Sequence, residues 1–319
     1  MDTYPEWAIG PFEKTAENPV LKPGETGFDS WAVYNPAVVY AFGKYHMFYR
    51  AETLDEQDTP YCGTSRIGLA TSADGLHFEK WGLILDADQP YELPGGLEDP
   101  RIVIVDGVYH LMYTAYCYPR VILCSAVSGD LIHWEKRGPV LKEWTENGRK
   151  SKSACPVVNP KLEAVKINGK YRLFTNEVYA TSEDFIHWDC GPLDAAAYSG
   201  GLHEVCTAIT DYREPGKDDI VLFVAGDLKA LCPERNLFYG VTECLLSRDN
   251  PRRRIGQLGF PVIAAEHPYE KSLVRLTGDA VRGTIFLDCV FRKDGRWHAY
   301  YGASDMYVGA AFAQERRKT

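Results

Sequence analysis

The chain has 319 residues, of which 45% are hydrophobic and 13% aromatic, and its formal net charge is −9. This length and hydrophobic content suffice for a sizeable core, and we expect a single domain over residues 1–319. The charges are mixed and form no basic stripe, which argues against a nucleic-acid or anionic membrane partner. No apolar run approaches the roughly 18 residues that a membrane-spanning helix needs.

A Gly followed by an aromatic-bearing strand recurs along the chain, at Gly43, Gly107, Gly169 and Gly295. These glycines are 64, 62 and 126 residues apart, so the period is about 63 residues and one copy has lost its Gly near residues 221–224. Each Gly lies in a predicted hairpin turn between two alternating apolar runs. Five units of this length fill the chain, and we therefore predict an all-β fold, a five-bladed β-propeller.

A second phrase, in which an Asp precedes a His and an aromatic residue, follows three of these hairpins. Its histidines are His77, His133 and His187. A residue that recurs at the same position in several units is most simply part of the scaffold. We therefore interpret these residues as turn and packing residues and not as catalytic ones.

Polar residues mark the predicted start of the innermost strands. Asn35 and Asp99 each precede a Pro, eight residues before the hairpin Gly, and Asn159 occupies a similar place in the third unit. Pro is tolerated at the first residue of a strand, and the innermost strands surround the axis of a propeller. The fourth unit is expected to start near Glu204. Glu163 falls a few residues along the predicted third strand, where a carboxylate is costly unless it is paired or used.

The three carboxylates Asp99, Glu163 and Glu204 have two readings. Each of them alone could form a structural ion pair with an arginine, of which the candidates are Arg50, Arg66 and Arg101. Together, converging on one funnel, they favour glycoside cleavage, which needs a proton donor for the leaving oxygen and a base for the attacking water.

Other classes of site lack support in the sequence. The eight histidines are dispersed without metal-ligand spacing, and no Gly-rich phosphate loop occurs, so we expect no metal and no cofactor. Nine scattered cysteines without a C-x-x-C pair favour reduced thiols, and the first residues do not resemble a signal peptide. We expect a cytoplasmic location, or a periplasmic or secreted one if a signal peptide was removed.

Five motifs in order make the chain recognisable: Asn35-Pro36, Tyr49-Arg50-Ala51-Glu52, Ser65-Arg66-Ile67-Gly68, Gly96-Leu97-Glu98-Asp99-Pro100-Arg101 and Tyr300-Tyr301-Gly302-Ala303-Ser304-Asp305. The chain resembles glycoside hydrolase family 130 along nearly its whole length. The resemblance implies a five-bladed propeller that cleaves β-mannosides with inversion. It makes Asp99 the acid, which protonates the glycosidic oxygen through a sugar hydroxyl. It also implies these substrate-binding residues: Asn35, Arg50, Arg66, Arg101 and Asp305.

One departure from the family pattern concerns phosphate. Most members are phosphorylases that hold phosphate with basic residues in and just before an L-F-P-E-K-like stretch. Here Glu163 stands in place of the Phe, and the positions before the stretch are the apolar residues 156–158. A carboxylate repels phosphate but can hold and deprotonate water. We therefore expect an inverting hydrolase that releases mannose from a small β-mannoside, β-1,2-linked, with Glu163 and Glu204 handling the water.

Two alternatives stay open at this point. A β-mannoside phosphorylase shares the fold and the sugar site, and Arg50, Arg66 and Lys161 could rebuild a phosphate pocket. A non-catalytic sugar-binding propeller is the other alternative, because a fold does not fix a function. The sequence leaves open which glutamate is the base, the linkage and length of the mannoside, and the oligomeric state.

Overall fold

The computed structural model describes residues 3–53, 63–193, 204–210, 219–227, 239–271 and 283–315. Within these ranges the chain forms 20 strands, the short helix α1 (Lys142–Glu146) and a 3₁₀ turn at Pro268–Glu270. The predicted all-β class is confirmed, since almost no helix is present. Among the helices of the described ranges, none has the length and apolar character needed to cross a membrane.

The strands form three four-stranded sheets and one eight-stranded sheet. The first sheet contains β2 (Ala32–Ala41), β3 (Lys44–Glu52), β4 (Arg66–Ser72) and β5 (Glu79–Leu85). The second contains β6 (Gly96–Val105), β7 (Val108–Cys117), β8 (Arg120–Ser128) and β9 (Glu135–Pro139). The last sheet in the chain combines β1 (Glu13–Lys14) with β18 (Ile285–Lys293), β19 (Arg296–Ala303) and β20 (Tyr307–Gln314).

The eight-stranded sheet consists of two antiparallel halves. One half contains β10 (Cys155–Val158), β11 (Tyr171–Phe174), β12 (Val178–Ser182) and β13 (Asp189–Pro192). The other contains β14 (Glu204–Thr210), β15 (Ile220–Asp227), β16 (Tyr239–Leu246) and β17 (Arg254–Gln257). A short parallel pairing between β10 and β14, from Val157 with Ala208 to Val158 with Ile209, joins the halves.

The first long strand of each four-stranded unit lies next to the first strand of its neighbours. Strand β2 contacts β6 and β18, β10 contacts β6 and β14, and β14 contacts β18. These five strands therefore follow one another in a closed ring. Large side chains of the next strands out are fully buried behind them, among them Tyr49, Tyr113, Phe223 and Tyr301.

The predicted hairpins at the four glycines are confirmed. Each turn has two successive residues with positive φ, as at Phe42 and Gly43, where φ is 51° and 78°. The other three turns repeat this conformation, at Asp106-Gly107, Asn168-Gly169 and Asp294-Gly295. A two-residue turn of this mirror-image type matches the twist of the flanking strands, which explains why Gly recurs there.

The repeated Asp and His residues form turns, as interpreted from the sequence. The Oδ1 atom of Asp130 accepts the backbone N–H groups of Ile132 and His133, and its Oδ2 atom lies 2.7 Å from His133 Nδ1. The same contacts occur at Asp74 with His77 and at Asp184 with His187. The three imidazoles are exposed, with 70 to 87% of the side chain accessible.

The predicted start of the third unit was wrong. Strand β10 ends at Val158, so Asn159 follows the strand instead of beginning it. The residue that corresponds to Asn35 and Asp99 is Ser153, because all three have a positive φ near the start of a strand. Asn35 and Asp99 are the fourth residues of β2 and β6, and Ser153 lies two residues before β10. The eight-residue count failed because the third unit has an additional loop between β10 and its hairpin, and Glu163 lies on that loop.

A buried Tyr, a buried carboxylate and a Lys form a link that recurs in three sheets. The Tyr belongs to the second strand, the carboxylate to the segment before the first strand, and the Lys to the outermost strand. The links are Tyr49–Asp29–Lys80, Tyr113–Glu92–Lys136 and Tyr301–Glu270–Lys14. Their hydrogen bonds and ion pairs measure 2.7 to 2.9 Å. The third link attaches the N-terminal strand β1 to the C-terminal sheet.

We predict that Lys14→Met destabilises the protein by about 3 kcal/mol at pH 7, because it leaves the fully buried Glu270 without its cation. Burial raises the pKa of the Glu270 carboxyl, but its partners, Lys14 foremost, lower it by more. The pKa of Glu270 therefore lies below its ordinary value. The stabilisation by Lys14 is therefore complete at neutral pH and is lost as the pH falls below about 4. Urea unfolding at pH 7 and at pH 3, below the ordinary pKa of a Glu, measures both effects.

The matched control is Lys44→Met, which removes an exposed lysine of β3 and should change the stability by less than about 0.5 kcal/mol. Equal destabilisation by the two variants would contradict the importance of the buried link.

Candidate active site

Asn35 and Asp99 lie in β-bulges of the innermost strands β2 and β6. Their φ angles are 46° and 50°, in the left-handed region that costs a non-Gly residue about 1–2 kcal/mol. Asn35 Nδ2 donates a hydrogen bond to Asp99 Oδ1 at 2.6 Å, and both residues are buried. The structure thus brings together two of the residues predicted from the sequence, on adjacent strands of two sheets.

Two glycines of the recognised motifs permit this close packing. A Cβ atom on Gly302 would lie 2.2 Å from Asn35 Oδ1, and one on Gly96 would lie 2.1 Å from the backbone oxygen of Ser65. Ser65 pairs with the Gly95–Leu97 backbone, which joins the first two sheets beside the site. Glycine is therefore required at both positions by contact with a neighbouring strand.

Two cations hold the Asp99 carboxylate. Arg50 Nη1 lies 3.3 Å from Asp99 Oδ1, and its Nη2 atom contacts Glu98 at 3.0 Å and Glu52 at 3.1 Å. Lys152 Nζ lies 3.4 Å from Asp99 Oδ2 and 3.1 Å from Glu98 Oε2. The carboxylates of the adjacent residues Glu98 and Asp99 therefore share the same two cations.

Asp99 is ionised in this arrangement. Burial raises its pKa, but the charges of Lys152, Arg50 and Arg101 and the hydrogen bond from Asn35 lower it more, so the pKa lies below the ordinary value. In the absence of a substrate the carboxylate is consequently a hydrogen-bond acceptor.

A second layer of contacts fixes the orientation of Arg50. Its guanidinium lies 4.7 Å from the ring centre of Tyr34, and its Nε atom donates to Ser65 Oγ at 2.9 Å. Glu52 Oε1 accepts from the Tyr34 hydroxyl at 2.5 Å and from Ser65 Oγ at 3.1 Å. Arg50 is therefore held on several sides before any ligand binds.

Asp305 follows β19 in a left-handed conformation, with a φ of 51°. Burial raises its pKa to about 6, with Arg50 lowering it and the charges of Asp99 and Glu52 raising it. It interacts electrostatically with Asp99 and with Arg50 and Lys152, the two cations that also hold Asp99.

Glu204 begins β14 and lies beside the start of the third unit. Ser153 Oγ is 3.3 Å from Glu204 Oε2, and the Tyr239 hydroxyl also hydrogen bonds to Glu204. Because Ser153 follows directly after Lys152, which contacts Asp99, the two carboxylates lie on the same rim. Burial lowers the pKa of Lys152, but the charges of Glu98, Asp99 and, to a smaller extent, Glu204 raise it above the ordinary value.

Glu163 lies elsewhere. Its side chain is exposed and accepts a 2.6 Å hydrogen bond from Asn159, and its backbone bridges to Ile104. Ile104 is five residues beyond Asp99 along β6, which corresponds to about 16 Å at about 3.3 Å per residue. The structure does not bring Glu163 together with Asp99 and Glu204, because the additional loop carries it toward the other end of the ring.

Two of the predicted arginines also point away from the Asp99 carboxylate. Arg66 Nε contacts Asp86 at 2.9 Å, and its Nη1 donates to the Thr64 carbonyl. Arg101 lies beneath the bulge, where it forms an ion pair with Asp288. Their predicted contacts with substrate stay predictions.

Sequence reasoning missed Lys152, Glu98, Glu52 and Asp288. Glu98 and Glu52 belong to the recognised motifs and lie within two residues of Asp99 and Arg50, so the motifs could have pointed to them as site residues. Lys152 was missed because the Pro after Asn159 placed the predicted start of the third unit there, whereas Ser153 has the positive φ without a following Pro. Nothing in the sequence marks Asp288, which the packing of β18 near β6, a strand of another sheet, brings to Arg101. In the part of the chain described, no group of three His, Cys, Asp or Glu side chains is arranged so that it could hold a metal ion.

Comparison with known proteins identifies similarity along nearly the whole chain. The model of glycoside hydrolase family 130, described as beta-1,4-mannooligosaccharide phosphorylase, matches residues 13–317. A 1,2-beta-oligomannan phosphorylase of Thermoanaerobacter sp. (strain X514) is 28% identical over 95% of this chain and 97% of its own length.

Similarity to solved structures also spans nearly the whole chain. A glycosyl hydrolase from Bacteroides ovatus is 28% identical with a TM-score of 0.84, over 100% of this chain and 97% of its own. A second solved structure is also 28% identical with a TM-score of 0.84, over 100% of this chain and 98% of its own. It comes from the GH130 family of mannoside phosphorylases, which is described as containing glycoside hydrolases that target β-1,2 mannosidic linkages in Candida mannan. The family match spans nearly the whole chain and includes every motif around Asp99, and the protein therefore belongs to glycoside hydrolase family 130.

Proposed function

We propose that this protein hydrolyses β-mannosides, β-1,2-linked, and releases mannose with inversion. The observation that carries the proposal is the Asp99 cluster, a set of buried carboxylates from several strands that share too few cations. The family and its relatives support a β-mannoside as the substrate. The residues around Asp99 support the choice of water as the nucleophile.

Asp99 is the acid in this proposal. Its carboxylate is ionised before substrate binds, so it has to take up a proton in the complex. A bound sugar displaces water, and burial then raises the carboxyl pKa further. The proton passes from Asp99 through a sugar hydroxyl to the glycosidic oxygen as the bond between that oxygen and the anomeric carbon breaks.

Glu204 is the base. It lies on the same rim as Asp99, next to Ser153, and its carboxylate can accept a proton from water. The water oxygen bonds to the anomeric carbon on the side opposite the leaving group, and the water proton goes to Glu204. Asn35, Arg50 and Asp305 hold the mannosyl unit by hydrogen bonds to its hydroxyls.

The charge balance favours water over phosphate. Within the described residues, the three cations Arg50, Arg101 and Lys152 face six carboxyl groups. These groups are Glu52, Glu98, Asp99, Glu204, Asp288 and Asp305. A phosphate dianion would meet net repulsion in such a site, whereas neutral water would not.

Phosphorolysis is the second candidate, and Lys152 is the observation that favours it. Its side chain is 30% exposed although it is paired with two carboxylates, so an ammonium N–H can reach a phosphate oxygen. The named relative in Thermoanaerobacter is itself a phosphorylase.

The architecture behind this site is also an inference. We infer that the eight-stranded sheet is two blades that touch through the β10–β14 pairing, and that the chain is a single five-bladed propeller. The closed ring formed by β2, β6, β10, β14 and β18 supports this count.

The reaction is tested with β-1,2-, β-1,3- and β-1,4-mannobiose, each with and without phosphate. We expect mannose from the β-1,2-linked substrate at a rate that phosphate does not increase. Formation of mannose 1-phosphate only when phosphate is present would replace hydrolysis by phosphorolysis. Tight binding without any turnover would indicate a sugar-binding protein.

We predict that Asp99→Asn and Glu204→Gln each lower kcat/KM by at least about 100-fold, since each removes a proton-transfer group. Glu163→Gln is the matched control and should retain near-normal turnover, because its exposed side chain lies toward the other end of β6. Steady-state kinetics, with circular dichroism to verify folding, measure the effects. A loss of activity in Glu163→Gln equal to that of Glu204→Gln would return Glu163 to the catalytic set.

We predict that kcat/KM rises with pH through about pH 6, as Asp305 ionises and becomes a stronger acceptor for sugar hydroxyls. In Asp305→Asn this rise should be absent, because the amide does not titrate. The pH profiles of both proteins test the prediction. The same inflection in the variant would assign it to a different group.

A further inference from the structure

Asp288 occupies a bulge of the innermost strand β18, between Leu287 and Cys289. Its side chain is fully buried and forms an ion pair with Arg101 Nη1 of β6. The strands β6 and β18 belong to different sheets, and β2 contacts both of them. The ion pair therefore connects two sheets across the axis of the ring.

The guanidinium of Arg101 also holds the backbone that carries Asp99. Its Nη1 atom donates to the carbonyl oxygens of Asp99 and Pro100, each at 3.3 Å, and its Nε donates to the carbonyl of Cys206 at 3.1 Å. Asp99 and Pro100 are the two bulge residues of β6. One side chain thus joins the inner strands β6, β14 and β18 directly beneath the proposed acid.

A small cavity lies beside this pair. Its volume is about 20 Å³, and its lining includes Cys155, Cys206, Thr207 and Cys289 together with the pair itself. Arg101 Nη2 and Asp288 Oδ2 have no hydrogen-bond partner among the described residues, and both atoms are buried. A cavity of this size has room for one water molecule, which could bridge two such atoms.

A buried ion pair is a poor way to stabilise a fold. Taking both charges out of water costs free energy, and apolar side chains of similar size are often at least as stable in such a place. Arg101 and Asp288 are no more than 5% exposed, so their desolvation is nearly complete. Core packing alone does not explain why this ion pair is present. The contact of Arg101 with the left-handed backbone at Asp99 offers an explanation.

We propose that Asp288 is a positioning residue, which orients Arg101 so that the guanidinium fixes the left-handed bulge and aims the Asp99 carboxylate at the sugar. This inference rests on the proposed function of Asp99 as the acid. Asp288 touches neither the substrate nor the reacting atoms. Its effect on catalysis passes through Arg101 and the Asp99 backbone.

The test compares Asp288→Asn with the double variant Arg101→Met/Asp288→Leu. Asp288→Asn leaves Arg101 buried without a partner charge, so we expect lower stability, a kcat lowered about 10- to 100-fold and a KM within about threefold of the wild type. The double variant removes both charges and should regain stability toward urea. Its kcat should nevertheless stay low, since apolar side chains cannot hold the two bulge carbonyls.

The control is Glu270→Gln, which neutralises another buried, ion-paired carboxylate, one that lies before β18 and pairs with Lys14 of β1. It should lower the stability and leave the kcat of the folded protein unchanged. If the double variant regained wild-type kcat together with its stability, Asp288 would be a purely structural residue. If the double variant does not fold, the kcat of Asp288→Asn tests the proposal by itself. A kcat of Asp288→Asn equal to that of the wild type would overturn the proposal.

Wild-type activity on β-1,2-mannobiose, measured in parallel, separates this inference from the proposed function. If the wild type cleaves no mannoside, the proposed function is wrong, and a crystal structure of Asp288→Asn then tests the positioning alone. The proposal requires that the φ angle of Asp99 or its 2.6 Å contact with Asn35 changes. An unchanged bulge would overturn it.

Discussion

The pairing of buried carboxylates with cations is the constraint on which this structure depends. A carboxylate taken out of water needs a positive partner and hydrogen bonds, or it becomes protonated. Away from the axis, Asp29, Glu92 and Glu270 each have a Tyr and a Lys partner, as in the link between Tyr113, Glu92 and Lys136. These links stabilise the sheets and leave little charge available for chemistry.

On the axis the same requirement is only partly met. Six described carboxyl groups share Arg50, Arg101 and Lys152, and the pKa values of two of them, Asp99 and Asp305, move in opposite directions. Burial raises the pKa of Asp99, but the charges of Lys152, Arg50 and Arg101 hold it below its ordinary value, while burial raises the pKa of Asp305 to about 6. A site with carboxyl groups in different protonation states, close together, has the elements that acid and base catalysis requires.

The backbone that presents these groups is itself unusual. The inner strands β2, β6, β14 and β18 all have a register shift near the same level of the ring. A bulge turns a side chain out of the regular alternation, so that it faces the axis instead of a neighbouring sheet. The glycines at 96 and 302 leave the space that the displaced side chains and strands need. Motif residues that look unrelated in the sequence are therefore parts of one packing arrangement.

The sequence by itself determined the strand class, the hairpins at the four glycines, the turn function of His77, His133 and His187, and the family. These features are local or repeated, and a turn of defined conformation selects its residues wherever it occurs. It also identified Asn35, Arg50, Asp99, Glu204 and Asp305, which the fold places around one rim.

Only the tertiary structure decided that Lys152 and Glu98 belong beside Asp99, that Asp288 lies beneath it, and that Glu163 is toward the other end of the ring. Those relations depend on which strands become neighbours and on where an additional loop shifts the register, and residue spacing along the chain contains neither quantity.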